Sequence, residues 1–329
     1  MKRRLGVGRP AVAGGCGASG LDAALWRCGL TQRASEGRLP KFVFMFLAVI
    51  PLDVSAGVLA WLPPAGEPKA PPARIVSLAP SITEMLFEIG AGGRVVGVTR
   101  YDDWPPEAKK VRQIGGYLDV DIETVMLLKP DAVFCEPNAG IKNVVERLAG
   151  AGIPVGVVTV AEVASIFLAI EELGRAVGHE EKAKATAAGL RTRLDALKKR
   201  IEGTAPATVL LFFNVSPLMA AGKGAFADEA LRLAGGKNLA GESPVMYPVY
   251  DVEKVAALDP AVIVDQSEAT MGATGLSGDS AAFWKKWPNL KAVKTRRVHT
   301  VPGVYLFRPG PRIVESIEKL ARTLHPEAF

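Results

Sequence analysis

Two stretches of the chain, 130 residues apart, repeat one pattern, and this repeat limits the fold more than any other feature. "YLDVDIETVMLLKPDAVF" (117–134) and "YPVYDVEKVAALDPAVIV" (247–264) each open on a tyrosine, Tyr117 or Tyr247. Asp121 or Asp251 follows, then Glu123 or Glu253, then Pro130 or Pro260 and a short apolar run. An Asp ahead of a helical pattern reads as an N-cap, and a Glu in the first turn is favoured by the helix macrodipole. Each stretch therefore reads as a short helix, a proline stop and a strand. A chain that writes this unit twice at a fixed offset contains two similar halves, and 329 residues suffice for two ordinary domains.

The rhythm around these landmarks is α/β. "RIVSL" (74–78), "VVGV" (95–98), "DAVF" (131–134) and "PVGVV" (154–158) are short apolar runs with strand character. Between them "PSITEMLFEIG" sets Ile82, Met85, Leu86 and Ile89 on one helical face, with Ser81 and Glu84 spaced as a capping box. "GIKNVVERLAGAG" (140–152) reads as a further helix. Such alternation predicts a parallel sheet covered on both faces. Proline is then absent from 155 to 205, and most of 161–201 reads as helix broken near Gly178. The alternation restarts with "TVLLFF" (208–213), "FADEALRLAGG" (226–236) and "AVIV" (261–264). It closes with "SAAFWKKW" (280–287), "RVHTV" (297–301) and a helix over 310–324. The expected division is a first α/β lobe over 74–160, a helical bridge over 161–205 and a second α/β lobe over 206–329.

Residues 1–73 read as a leader. Within "KFVFMFLAVIPLDVSAGVLAWL" (41–62) the uninterrupted apolar run 42–50 has the length of a signal-peptide core rather than a full membrane span. Lys41 supplies a positive flank, and "VSA" (54–56) is a small-residue site of the kind signal peptidase accepts. An uncleaved anchor over 41–62 is the alternative, as is a true start at Met45. "GEPKAPPA" (66–73) then reads as a Pro-rich spacer. Either reading of the leader predicts export, to the periplasm or the outer face of the cytoplasmic membrane.

The leader also explains the charge. Nine Lys or Arg against four Asp or Glu fall in residues 1–73, whereas the other 256 residues hold 31 against 30. The body is balanced, without the basic patch that nucleic-acid binding requires. Cys16 and Cys28 lie in the leader; "AVAGGC" resembles a lipoprotein acylation site only loosely, because no apolar core precedes it. Cys135 stands alone in the body and cannot form an internal disulfide.

Taken together, "RIVSLAPSITEMLFEIGAGGRVVGVT", "YDDWPPEA", "IGGYLDVDIETVMLLKPDAV", "DEALRLAGGKNLA" and "RPGPRIVESIEKLA" resemble the cobalamin and ferric-siderophore substrate-binding proteins of ABC importers. The resemblance covers about residues 74–325. It implies two Rossmann-like α/β lobes joined by a long helix, a ligand cleft between them, and little movement on closure. It also implies a monomeric carrier that hands cobalamin or a related corrinoid to a permease dimer. Ferric siderophores and haem are the alternative ligands. In such proteins one exposed Glu on each lobe engages arginines of the permease, and Glu123 and Glu253 match those positions. From spacing alone, the same two residues read as first-turn charges that stabilise their helices.

Open parallel sheets place ligands at the carboxyl ends of their strands. Tyr101 and Trp104 follow the second strand, Tyr117 and Tyr247 precede the repeated helices, and Tyr305, Phe307 and Arg308 follow the last strand. Tyr and Trp join a large apolar face to a polar tip, which suits a flat, partly polar ligand such as a corrin. Tyr117, Tyr247 and Tyr305 stand where the family is expected to carry Trp. Each aromatic taken alone reads as core before site, and it is their shared placement in post-strand loops that marks them as a group; Arg308 reads equally as a partner for an anionic ligand or a cap for the last helix.

Catalytic and metal chemistries find little purchase. His179, His299 and His325 are scattered, with no metal-ligand spacing. "GAGGRVVG" (90–97) follows a helix and precedes a strand, the reverse of a dinucleotide loop, and "AGKG" (221–224) lacks phosphate-loop spacing. No base, nucleophile and orienting group can be assembled. The expectation is a binding protein with neither catalytic cofactor nor resident metal. A chelatase or metallocluster enzyme on paired lobes, and a sensor's receptor, are the readings of other classes.

Overall fold

The computed structural model describes residues 58–266, 280–300 and 305–329. The signal-like run 42–50 and the "VSA" site lie outside the described residues.

The first half builds one five-stranded sheet from β1 (Leu59–Trp61), β2 (Ile75–Ser77), β3 (Val95–Gly97), β4 (Ala132–Cys135) and β5 (Val155–Val158), in the order β1-β5-β4-β2-β3. β2 to β5 run parallel. Their connections carry α1 (Pro80–Glu88), α2 (Ile122–Leu127) and α3 (Lys142–Gly150). β1 adds antiparallel to β5, pairing Leu59 with Val158. This differs from the sequence reading, which left 59–61 in the leader. Leu59 is buried and Trp61 packs against Phe134 with ring centres 5.4 Å apart. Three residues are too few to show a strand period, so only the edge of β5 identifies them as part of the sheet.

Two helices bridge the halves: α4 (Val163–Ala176) and α5 (Glu180–Arg200). The break falls at Gly178, whose φ of +72° lies in the left-handed region that glycine enters without steric cost. α5, at 21 residues, extends about 31 Å. It is tied to α4 by Arg191 to Glu171 at 2.6 Å.

The second half carries β6 (Ala207–Val215), β7 (Leu218–Ala220), α6 (Phe226–Leu233), β8 (Gly236–Asn238), β9 (Val249–Tyr250), α7 (Val252–Leu258) and β10 (Val262–Asp265). α8 (Ser280–Lys285), α9 (Lys291–Lys294), β11 (Val298–His299) and α10 (Ile313–Leu324) complete it. Its sheet runs β11-β10-β6-β7-β9, with β8 also paired to β6.

Successive strand residues feed opposite cores, as strands buried on both faces require. Ile75, Phe134, Leu211 and Val264 point into one continuous apolar cluster that also takes in α1, α4, α5, α6 and α10. Val76, Val133 and Cys135 face a second cluster beneath α2 and α3; Leu210, Phe212 and Ile263 face a third with Val255 and Trp284. Because the largest cluster is shared by both sheets and the bridge, displacing one lobe would disturb close-packed side chains. The fold is two α/β lobes joined by a helical bridge.

Candidate ligand-binding site

Residues that follow strands of the first lobe share a cavity with one segment of the second lobe. Pro80 and Ser81 open α1 just after β2, Tyr101 follows β3, and Glu136 directly follows β4. Tyr117 arrives on a tight turn after Ile114. Gly115 there has φ of +102°, and an added Cβ would lie 2.3 Å from the Asp119 carbonyl oxygen, so the turn requires glycine. From the second lobe come Phe307, Arg308 and Pro309, on the segment between β11 and α10. These residues, with Leu118 and Asp119, line a cavity of about 400 Å³.

Four of the seven expected ligand contacts, Tyr101, Tyr117, Phe307 and Arg308, line this cavity. Tyr247 stands behind Phe307. Its ring meets Phe213 edge-on at 5.1 Å, and Phe213 meets Phe307 at 5.3 Å, so the three form an aromatic file on the second lobe. Trp104 and Tyr305 are used differently. The Arg312 guanidinium lies 3.5 Å from the Tyr305 ring centre and 5.1 Å from that of Trp104, one ring from each lobe.

Arg312 also grips Glu84 of α1, with Nε donating to Oε2 at 2.9 Å and Nη2 to Oε1. Arg308 donates to Asp103 Oδ1 at 2.5 Å and lies 3.4 Å from Glu84 Oε1. The Glu84 side chain is 2% exposed and that of Arg312 12%, so their pair joins the lobes in a place screened from water, while Asp103 lies at the exposed edge of the cluster. Arg308 is thus neutralised within the protein and caps no helix: the N-cap of α10 is Arg312.

The expected capping box of α1 is not formed. Pro80 occupies the first helical position, where its fixed φ fits, and the N-cap is Ala79 with no side-chain bond. That shift puts Ser81 inside the first turn and frees both polar side chains. Ser81 donates to Glu136 Oε1, while Glu84 turns to the arginines of the other lobe.

Glu136 also accepts from the Tyr117 hydroxyl at 2.9 Å. Burial pushes the Glu136 carboxyl above the usual carboxylate range, against those two hydrogen bonds. The Tyr117 phenol is raised too, by burial first and then by the neighbouring carboxylate. Asp102, between Tyr101 and Asp103, is buried and raised to about 6 by that burial, while Thr99 donates to it from its backbone N–H and hydroxyl. Cys135 is buried in β4, and burial pushes its thiol up to about 12, far from a metal-binding thiolate.

Ser81, Glu84, Asp103, Glu136, Phe213 and Arg312 are the site residues that the sequence reading missed. For Glu136 a signal existed: a carboxylate at the carboxyl end of the parallel strand "DAVFC". For Glu84 and Arg312, 228 residues apart, none did.

Glu123 and Glu253 are exposed in the first turns of α2 and α7, behind their N-caps. Asp121 accepts from the Glu123 and Thr124 N–H groups, Asp251 from that of Lys254. Met126 and Leu127 are exposed beside Glu123, and Glu253 borders a groove of about 420 Å³ that includes Trp287.

The profile of the periplasmic binding protein family matches residues 75–305. The chain belongs to that family. Among curated relatives of this periplasmic binding protein is an uncharacterized ABC transporter substrate-binding lipoprotein, YvrC, of Bacillus subtilis. It is 32% identical over 79% of this chain and 82% of the relative. A vitamin B12-binding protein of Photorhabdus laumondii is 29% identical over 78% and 89% respectively. Among solved structures, the periplasmic vitamin B12-binding protein BtuF of Vibrio cholerae superposes with a TM-score of 0.68 at 26% identity, over 78% of this chain and 98% of its own. The periplasmic heme-binding protein RhuT of Roseiflexus superposes with a TM-score of 0.67 at 25% identity, over 78% and 99%. Overall likeness therefore ranks a vitamin B12-binding protein and a heme-binding protein side by side.

Proposed function

We propose that this periplasmic binding protein is an exported carrier that captures a corrinoid, cobalamin in the first instance, and delivers it to an ABC importer. The observation that carries the ligand choice is electrostatic. Arg308, the cation that lines the cleft among the described residues, is already held by Asp103 and Glu84. Asp119 at the rim is paired with Arg100. The body's undescribed segments, 267–279 and 301–304, contain no Lys, Arg or His. A ligand with free carboxylates, as haem has, would meet Glu136 and no spare cation, and unpaired charge in a half-buried cleft is costly. A corrin fringed with uncharged amides meets aromatic faces at Tyr101, Tyr117 and Phe307 and polar groups able to hydrogen-bond. The corrin is larger than the 400 Å³ cavity, so it lies across the cleft mouth and keeps one rim outside.

Docking on the permease goes through Glu123 and Glu253. Support comes from their matched place in the two halves, their exposure and the apolar side chains beside them. Paired charges on separate lobes steer encounter and fix orientation more than they add affinity. The protein acts as a carrier rather than an enzyme, on the outer side of the cytoplasmic membrane.

Calorimetric titration of the full chain with cyanocobalamin tests this reading. One-to-one binding in the nanomolar to low micromolar range is expected. Absence of heat with cyanocobalamin, alongside tight binding of haemin or a ferric siderophore, overturns the corrinoid assignment and leaves the fold untouched.

A further inference from the structure

At the floor of the cleft, three hydrogen-bonding side chains from three separate segments converge. Ser81 lies in the first turn of α1, Glu136 at the end of β4 and Tyr117 on the glycine turn after Ile114. The Ser81 hydroxyl donates to one carboxyl oxygen of Glu136 and the Tyr117 hydroxyl to the other, at 2.9 Å. All three line the cavity. Neither bond helps to build a sheet or cap a helix.

Placing a carboxyl group here works against folding. It sits half-buried with hydroxyl groups rather than a cation as its partners, and a carboxylate taken from water without a counter-charge is destabilising. An apolar side chain would close the end of β4 at lower cost, as Phe134 does two residues earlier. Sites where a sequence breaks such a rule are usually functional ones. The geometry also leaves work for the group. A carboxylate offers about four acceptor positions, and the two hydroxyls occupy one on each oxygen. The remaining lone pairs belong to a group that faces the cavity and is fixed from both sides, so a ligand donor meets an acceptor already oriented.

We propose that Glu136, held by Ser81 and Tyr117, is the specificity-determining anchor of the cleft and accepts a hydrogen bond from an amide N–H on the ligand's rim. This rests on the reading of the protein as a carrier of an amide-fringed ligand, and names the atom that selects for it. A ligand whose rim bears carboxylates instead of amides presents acceptors to an acceptor, and is rejected there.

The test is titration of the full-length chain and its Glu136→Gln, Glu136→Leu and Tyr117→Phe variants with three probes: cyanocobalamin, a neutral ferric trihydroxamate with amide groups, and haemin. Thermal melts establish that each variant is folded. Cyanocobalamin affinity should fall about tenfold in E136L, which removes the acceptor, and about threefold in E136Q, which keeps one carbonyl acceptor without the charge, and in Y117F, which leaves the acceptor in place without its orienting bond. Haemin affinity should be unchanged or higher in E136L. If folded E136Q and E136L bind cyanocobalamin within twofold of the wild type, the anchor is refuted and the corrinoid reading stands. If the wild type binds the trihydroxamate but not cyanocobalamin, and E136L weakens that binding, the corrinoid reading falls and the anchor stands. Binding of haemin alone, insensitive to E136L, overturns both.

Discussion

Glu84 of the first lobe and Arg312 of the second, 228 residues apart in sequence, share two hydrogen bonds behind the ligand cleft, with the Glu84 side chain 2% exposed. The pair sits where the lobes must hold their mutual orientation. Gly310 keeps the approach open, since an added Cβ would stand 3.1 Å from Glu84 Oε2.

Removing Glu84 strands Arg312 without this counter-charge, whereas removing Arg312 leaves Glu84 with Arg308 at 3.4 Å. Glu84→Leu should lower unfolding free energy by about 3–5 kcal/mol, as breaking a buried ion pair does, and Arg312→Met by somewhat less, because Arg308 stays beside Glu84. The Glu84→Leu/Arg312→Met double variant should recover much of that loss, although Arg308 then keeps only Asp103. Urea denaturation of the four proteins checks the cycle; additive losses would mean that the pair is not coupled.

Trp104 and Phe307 separate stacking from ligand contact. Trp104 packs on Arg312, whereas Phe307 lines the cavity. Trp104→Ala should cost about 1 kcal/mol of stability, the scale of a partly desolvated cation–π contact, and leave ligand affinity within twofold. Phe307→Ala should weaken the ligand by tenfold or more, as loss of an aromatic anchor does. Calorimetry and thermal melts on both variants provide the two readouts.

Asp102 sets a pH dependence. Its carboxyl rises from 3.8 to about 6 in the folded chain because it is buried. The folded state therefore holds this proton more tightly than the unfolded chain, and the group's contribution to stability falls as pH rises from about 4 to about 6. The shift corresponds to roughly 3 kcal/mol. Asp102→Asn removes this slope, so the stability of the variant relative to wild type should improve between pH 4 and pH 7 by an amount of that order. Parallel denaturation curves across this range check it. A constant difference would show that Asp102 titrates normally.

Charge reversal addresses the outer face. Glu123→Lys and Glu253→Lys alter exposed first-turn residues, so each should cost less than about 1 kcal/mol of stability and leave ligand affinity unchanged. Association with the permease should slow by tenfold or more in the double variant, with weaker salt dependence. Reconstituted uptake by proteoliposomes gives the measurement; undiminished uptake would remove these residues from docking.

Much of the architecture is legible in the chain itself. The two "D-x-E" helices, their Asp N-caps, the break at Gly178 and the apolar strands follow from local rules that each segment obeys alone, and the repeat at offset 130 announces paired halves. The strand-end rule also placed Tyr101, Tyr117, Phe307 and Arg308 at the cleft without any knowledge of the other lobe. Ser81 and Glu84 mark where local reading stops. Their spacing fits a capping box, yet one bonds Glu136, 55 residues on, and the other Arg312. β1 is similar, a three-residue segment that becomes a strand only on the edge of β5. Sequence period fixes what a residue does within its own helix or strand. The partner of a side chain that leaves its element depends on how two lobes pack, and that is decided by the shared core and the ion cluster between them.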